Sequence, residues 1–309
     1  MIGSFAIKCT PNLRWEFNII RVRVNGGLGN QLFKFFHGLK TALEYNKNLS
    51  IDLSWYEHRY MNSNKVNSRT FELSFFEPIS KIPIFISRSR EFDLLRNRIE
   101  RNLTPKGQKF LGCMTEQSEY LFTSPPKVID GDYVNLASLP DFSIISKYIE
   151  FPKAESIWLM NEFSMLPDGM VVAVHVRRTD YINLPEIYNV LTKEYYMSAI
   201  NYFRKKYHSA SFWLFSDDTE GAQVFLKDIV NFDRIVNSPK DVPTGETLKL
   251  MSSFKGIIIA NSTFSWWAAY IGHMNGRTLE VVLPSRFSTL SNDNPSKYLK
   301  LPEWNILDA

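Results

Sequence analysis

The stretch MVVAVHVRRTDY, residues 170–181, decides the fold. Its first seven residues are apolar but for one histidine, with none of the polar–apolar alternation of a sheet wetted on one face. A parallel strand covered on both sides requires such a run. The run stops at Arg177 and Arg178, so a buried strand delivers a charged loop at its carboxyl end. Downstream, a helical pattern covers 193–207, a strand 212–215, a helix 219–226 and a short strand the neighbourhood of Ile235. A helix follows over 246–254, then a strand over 257–260, a helix over 265–271 and a strand over 279–283, closed by Pro284. Repeated strand–helix alternation predicts a doubly wound parallel sheet, whose ligands bind at the carboxyl ends of the strands.

Upstream, residues 19–24 read as a strand, 25–30 as a turn, and 31–44 as a helix with Leu32, Phe35, Phe36 and Leu39 on one face. The region 62–151 mixes short apolar runs with proline and charge, and is expected to be irregular α/β structure. A length of 309 residues exceeds what one core of about 150 residues holds, which predicts two domains. The division is placed near 155–168, giving an N-terminal α/β domain over 1–160 and a ligand-binding domain over 161–309.

The chain is 44% hydrophobic and 14% aromatic, enough to build cores and unlike a disordered polymer. A net charge of +4 with no long basic block argues against nucleic-acid or membrane binding driven by bulk charge, so any basic site must be local. Cys9 and Cys113 form no disulfide framework and no metal or redox spacing, which fits a reducing compartment. No stretch approaches the roughly 18 apolar residues of a membrane span, and the first twenty residues lack a signal-peptide pattern.

Every chemically suggestive cluster falls at an expected strand end. At 175–181, two adjacent arginines offer planar forks that match phosphate oxygens in two-point contact, with Asp180 placed to hold one of them. A salt-bridge network between domains would account for the same residues. At 26–31, the glycines of GGLGNQ remove Cβ atoms where backbone N–H groups of a helix start could meet a phosphate or sugar. The spacing is that of neither a dinucleotide site nor a P-loop, and a tight turn alone would explain it. At 258–267, IIANSTFSWW sets Ser262, Thr263 and Ser265 at a helix start, where N-capping explains one hydroxyl but not three. Trp266 and Trp267 are expected in the core. At 215–218, FSDD follows a strand and either contacts a nucleoside or caps a helix. Asp130-Gly131-Asp132 has the form of a divalent-metal motif, but a solvent-exposed turn explains it more simply. The five histidines show no zinc spacing.

Taken together, GGLGNQLF at 26–33, HVRRTDY at 175–181, FSDD at 215–218 and LMSSFKGIIIANSTFSWWAAYIG at 250–272 resemble, in this order, the motifs of the bacterial α-1,2-fucosyltransferase family, glycosyltransferase family 11. VVLPSRF at 281–287 and LPEWNIL at 301–307 resemble that family's ending. The resemblance implies an α/β, GT-B-like fold with two Rossmann-like domains facing across a cleft. It also implies an inverting transfer of L-fucose from GDP-β-L-fucose to a glycan hydroxyl, with no metal or other cofactor. Arg177 and Arg178 would neutralise the β-phosphate, and Arg178 would act in catalysis. His175, Asn261, Ser262, Thr263, Phe264 and Ser265 would add donor contacts, Asp217 and Asp218 would lie near the nucleoside, and Gly27, Gly29, Asn30 and Gln31 would line the cleft from the opposite domain. Glu186 is the expected base, with Asp180 as the other candidate. The acceptor would be an oligosaccharide or lipid-linked glycan, met in the cytoplasm or peripherally at the inner face of the bacterial inner membrane.

The departures from the family pattern fall on the acceptor side. Val134-Asn-Leu-Ala-Ser138 stands where a Gly-aromatic-aromatic-Gln-Ser segment is usual, and Phe254-Lys255-Gly256 replaces Cys-Lys-His.

Overall fold

A computed structural model of the chain describes residues 18–57, 70–87, 90–179, 190–287 and 295–309. The first sheet is built from β1 (Ile19–Arg23), β2 (Asn48–Asp52), β3 (Ile84–Phe85), β4 (Cys113–Met114) and β5 (Val128–Ile129), in the order β3-β2-β1-β5-β4. The second is built from β6 (Val171–Val176), β7 (Ser211–Ser216), β8 (Arg234–Val236), β9 (Gly256–Ile258), β10 (Glu280–Pro284) and β11 (Asn305–Leu307), in the order β11-β10-β9-β6-β7-β8. Every strand pair in both sheets is parallel. Among the described residues, the helices of seven residues or more are α1 (Leu28–Glu44), α2 (Arg90–Asn102), α3 (Pro105–Leu111), α4 (Ile157–Ser164), α5 (Lys193–Lys206), α6 (Thr219–Leu226), α7 (Thr244–Met251) and α8 (Thr263–Met274).

Numbered within its own domain, the second sheet has the Rossmann order, and its direction of progress reverses between β6 and β9. β6 lies between β7 and β9 and is buried at every position, as its unbroken apolar run requires. In the first sheet the chain crosses from β3 at one edge to β4 at the other, and β5 then inserts between β4 and β1. The short strands β3, β4 and β5, with the turns between them, make up the irregular α/β region expected over 62–151; residues 62–69 and 88–89 of that stretch lie outside the described ones. The division placed at 160/161 falls inside α4, in the crossover between Ile129 and Val171.

The two sheets share one apolar seam. α1 is buried on nearly every side, because it packs on β1 with one face and on α8 with the other. Phe33 meets Trp266 and Trp267 at ring distances of 4.8 and 5.1 Å, and Phe36 meets Trp267 at 5.4 Å. Both tryptophans are fully buried, as expected of core residues. Their indole N–H groups donate to the Leu299 and Gly29 carbonyls, which satisfies the one polar atom each brings inside.

Several helices start earlier than their apolar periodicity predicts. α1 begins at Leu28 rather than Gln31, because the Leu28 N–H is capped by the Glu72 carboxylate at 3.0 Å. A cap 44 residues away in sequence leaves no local signal. α8 begins at Thr263 rather than Ser265, and α7 spans Thr244–Met251 rather than 246–254. α6 occupies the predicted residues, because Asp218 caps it locally by accepting from the Gly221 N–H at 2.9 Å. No helix among the described residues is long and apolar enough to cross a membrane.

Candidate functional site

The reversal between β6 and β9 places the carboxyl ends of these strands side by side and delivers His175, Arg177 and Arg178 opposite Asn261, Ser262 and Thr263. β7 runs in register with β6, pairing Val176 with Ser216, so Asp217 and Asp218 emerge beside the arginines. The expectation that Asp217 and Asp218 lie near the nucleoside meets a more specific geometry, in which both hold the arginine loop. Arg177 pairs with Asp217 at 3.0 Å. The same carboxylate accepts from the Arg178 N–H at 3.0 Å, from the Thr179 N–H at 3.2 Å and from the Thr179 hydroxyl. Burial works to raise the Asp217 carboxyl, but Arg177, the Thr179 hydroxyl, the Arg178 N–H and His175 together outweigh it and leave it below its ordinary value.

Arg178 is held at two other points. Its Nε bonds Asp218 at 3.3 Å, and its guanidinium lies 5.0 Å from the centre of the Phe225 ring on α6. The contact through Nε leaves the two terminal nitrogens as a fork. Asp218 thus caps α6 and orients Arg178 with the same carboxylate.

His175 is buried, with Nδ1 lacking a hydrogen-bond partner, and its ring lies 6.0 Å from that of Phe264. Burial, reinforced by Arg177 and opposed by Asp217, pushes the imidazole down to about 4, so it is neutral near pH 7. The Tyr196 hydroxyl donates to the His175 carbonyl and fixes the end of β6.

At the start of α8 the three hydroxyls have separate uses. Ser262 occupies the cap position without a side-chain capping bond. Thr263 donates to the Asn30 side chain at 2.6 Å, and Ser265 donates to the Ser262 carbonyl at 3.2 Å. Asn261 is buried and donates to the Phe287 carbonyl at 3.2 Å.

The glycine cluster meets this helix start directly. A Cβ on Gly29 would lie 2.5 Å from the Thr263 carbonyl carbon and 2.6 Å from the Phe264 nitrogen, so this glycine is required for the close approach of α1 to α8. Gly26 takes a positive φ of 78°, and Gly27 occupies the cap position of α1. Gln31 is fully buried, donating to the Gly26 and Thr70 carbonyls and accepting from the Glu72 N–H. It shapes the cleft by holding backbone, while Glu72 occupies the N–H group of Leu28 at the α1 start.

Asp180 and Glu186 lie outside the described residues. The exposed-turn reading of Asp130-Gly131-Asp132 needs correction at Asp130, which is buried and paired with Arg23 at 3.1 Å beside Glu100. Only Asp132 is exposed, in a 2.6 Å pair with the buried Lys34. The sequence reading missed Glu72 and Phe225: neither sits in a motif, and both act through partners far along the chain.

A two-domain α/β protein with paired arginines at the switch point of its second sheet has the architecture of a nucleotide-sugar glycosyltransferase of the GT-B type. Residues 160–308 match the family described as Glycosyl transferase family 11. It is 28% identical to an α-1,2-colitosyltransferase of Escherichia coli, over 82% of this chain and 88% of that one. It is 26% identical to the O-antigen biosynthesis glycosyltransferase WbnK of Escherichia coli, over 91% and 98% of the two chains. The crystal structure of the NodZ α-1,6-fucosyltransferase co-crystallised with GDP shares the fold with a TM-score of 0.51 at 15% identity, covering 82% of this chain and 92% of that one.

Proposed function

We propose that the protein transfers L-fucose from GDP-β-L-fucose, with inversion and without a metal, to a hydroxyl of a β-galactoside-type glycan, forming an α-1,2 linkage. The observation that carries this reading is the Arg178 fork, held from behind by Asp218 and Phe225 at the strand ends where β6 and β9 part. Breaking the bond between the sugar C1 and the β-phosphate oxygen leaves negative charge on GDP, and positioned donors aimed at that charge are commonly the largest catalytic contribution. Arg178 is the main such donor in this reading, with Arg177 beside it and Ser262 and the first N–H groups of α8 adding a partial positive field. Neutral His175 offers a hydrogen bond without adding charge. On the opposite face of the sugar, the acceptor oxygen bonds to C1 as its proton passes to a carboxylate, for which Glu186 is the first candidate and Asp180 the second.

A second reading keeps the site and changes the sugar. The likeness to an α-1,2-colitosyltransferase favours it, since colitose is L-fucose without its 3-hydroxyl. Incubation with GDP-fucose, GDP-colitose and GDP-mannose over an acceptor array rich in β-galactosides, with linkage analysis of the product, tests both. Transfer of fucose to the galactose 2-hydroxyl is the expected result. Preference for GDP-colitose replaces the donor, a different linkage removes the α-1,2 assignment, and GDP binding without turnover to any acceptor rejects the enzyme reading.

A further inference from the structure

We propose that the outward face of the α2–α3 hairpin docks on an anionic lipid bilayer. This goes beyond the transfer reaction and does not depend on the identity of the donor. α2 is fastened to the first sheet by its inward face, where buried Glu100 pairs with Arg23 at 2.7 Å. α3 is fastened to α2 by Gln108, which donates to the Glu100 carbonyl at 3.2 Å and accepts from the Thr115 hydroxyl at 2.7 Å. Thr104 caps the start of α3, and Gly112 closes its end with a φ of 74°. The hairpin is therefore a held element, and its outward face is presented by design of these contacts rather than by fraying.

That outward face is apolar and basic. Leu95 and Ile99, one helical turn apart, are 59% and 47% exposed, with Arg98 beside them. On α3, Phe110 is 89% exposed, more than any other large apolar side chain among the described residues, and Lys106 and Lys109 flank it on the same turn. Single exposed apolar residues need no explanation, but three on two adjoining helices, each with a cation near it in sequence, do. Among the described side chains of the two helices, the exposed cations Arg98, Lys106 and Lys109 face one exposed carboxylate, Glu91. Aromatic and branched side chains that enter the acyl boundary, beside lysines and arginines that reach anionic headgroups, are the features of an interfacial surface. Self-association through this face would set the same cations against each other, which favours a lipid occupant over a second copy. α2 follows β3, so it starts at the carboxyl edge of the first sheet, where β1 and β5 also end.

Sedimentation of the full chain with vesicles tests the proposal, with no donor or acceptor present, so its outcome is separate from that of the transfer reaction. Binding to phosphatidylcholine vesicles containing phosphatidylglycerol is expected, with weak binding to phosphatidylcholine alone and release by high salt. K106E/K109E should lower partitioning at least about 25-fold, since each cation lost near an anionic surface weakens binding about fivefold. F110S should lower it by about tenfold or more, with little change in salt dependence. Both variants should unfold at the wild-type Tm, because the altered side chains are exposed. Equal binding to the two vesicle types, or wild-type binding by both variants, overturns the proposal. Absence of vesicle binding together with a dimer that F110S dissociates assigns the face to a second copy and overturns it as well.

Discussion

The Thr263 hydroxyl donates to the Asn30 side-chain carbonyl at 2.6 Å and ties the first turn of α8 to the first turn of α1. Beside it, Gly29 sits where any Cβ would lie 2.5 Å from the Thr263 backbone, and its carbonyl accepts from the Trp267 indole at 3.0 Å. The two sheets thus meet through the starts of two helices, and the donor-side loop is anchored to the opposite domain.

Gly29→Ala should force these helix starts apart. Overpacking of a tight contact costs about 1–3 kcal/mol, which for a chain of this size lowers Tm by roughly 1.5–5 °C. Thermal unfolding measures it; an unchanged Tm would show that the seam gives way freely.

Arg178→Ala should remove at least about 2 kcal/mol of transition-state stabilisation, read from kcat/KM with the preferred donor. Arg178→Lys should recover only part of it, because an ammonium cannot reproduce the two-point fork that Asp218 and Phe225 orient. Full turnover in either variant removes Arg178 from the phosphate role.

Transfer should continue in EDTA. Asp130 is committed to Arg23, so the Asp130 and Asp132 pair does not present two free carboxylates to a divalent ion. Activity lost in chelator and restored by Mn²⁺ would contradict this.

Glu186→Gln should cut turnover about a hundredfold or more, within the range that general bases contribute, while GDP affinity stays nearly unchanged. Ordinary turnover would pass the role to Asp180 or to no protein base.

Stability should fall on acidification between about pH 6.5 and 4. His175 and His37 are buried and pushed down to about 4 from an ordinary 6.5, chiefly by burial. In that window the unfolded chain binds protons that the folded chain refuses, so stability is fully present above pH 6.5 and declines below it. Asp217 sits below its ordinary 3.8, so its contribution is lost only in stronger acid. His37→Phe, which keeps a ring against Tyr133, should make the decline of Tm shallower. A Tm that stays level from pH 7 to 4 would mean that the buried histidines accept protons in the folded state.

The sequence by itself determined the second domain almost entirely. The run 170–176 reads as a central parallel strand, Asp218 sets the start of α6 locally, and the four motifs fell at strand ends because parallel sheets gather their loops on one edge. Tertiary structure alone decided what each polar group does there. Asp217 and Asp218 were legible as strand-end carboxylates, but their work on Arg177 and Arg178 follows from the pairing of β7 with β6, which joins residues 40 apart. Gly29 was legible as a glycine needed for close approach, yet what approaches is Thr263, 234 positions later, through a contact that no local pattern encodes. Asp130 shows the same limit, since a charged triplet after a short strand reads as a wet turn until Arg23 and Glu100, from a distant strand and helix, bury it. Propensity and periodicity act over a few residues, whereas burial and ion pairing are fixed only once the chain has brought its distant parts together.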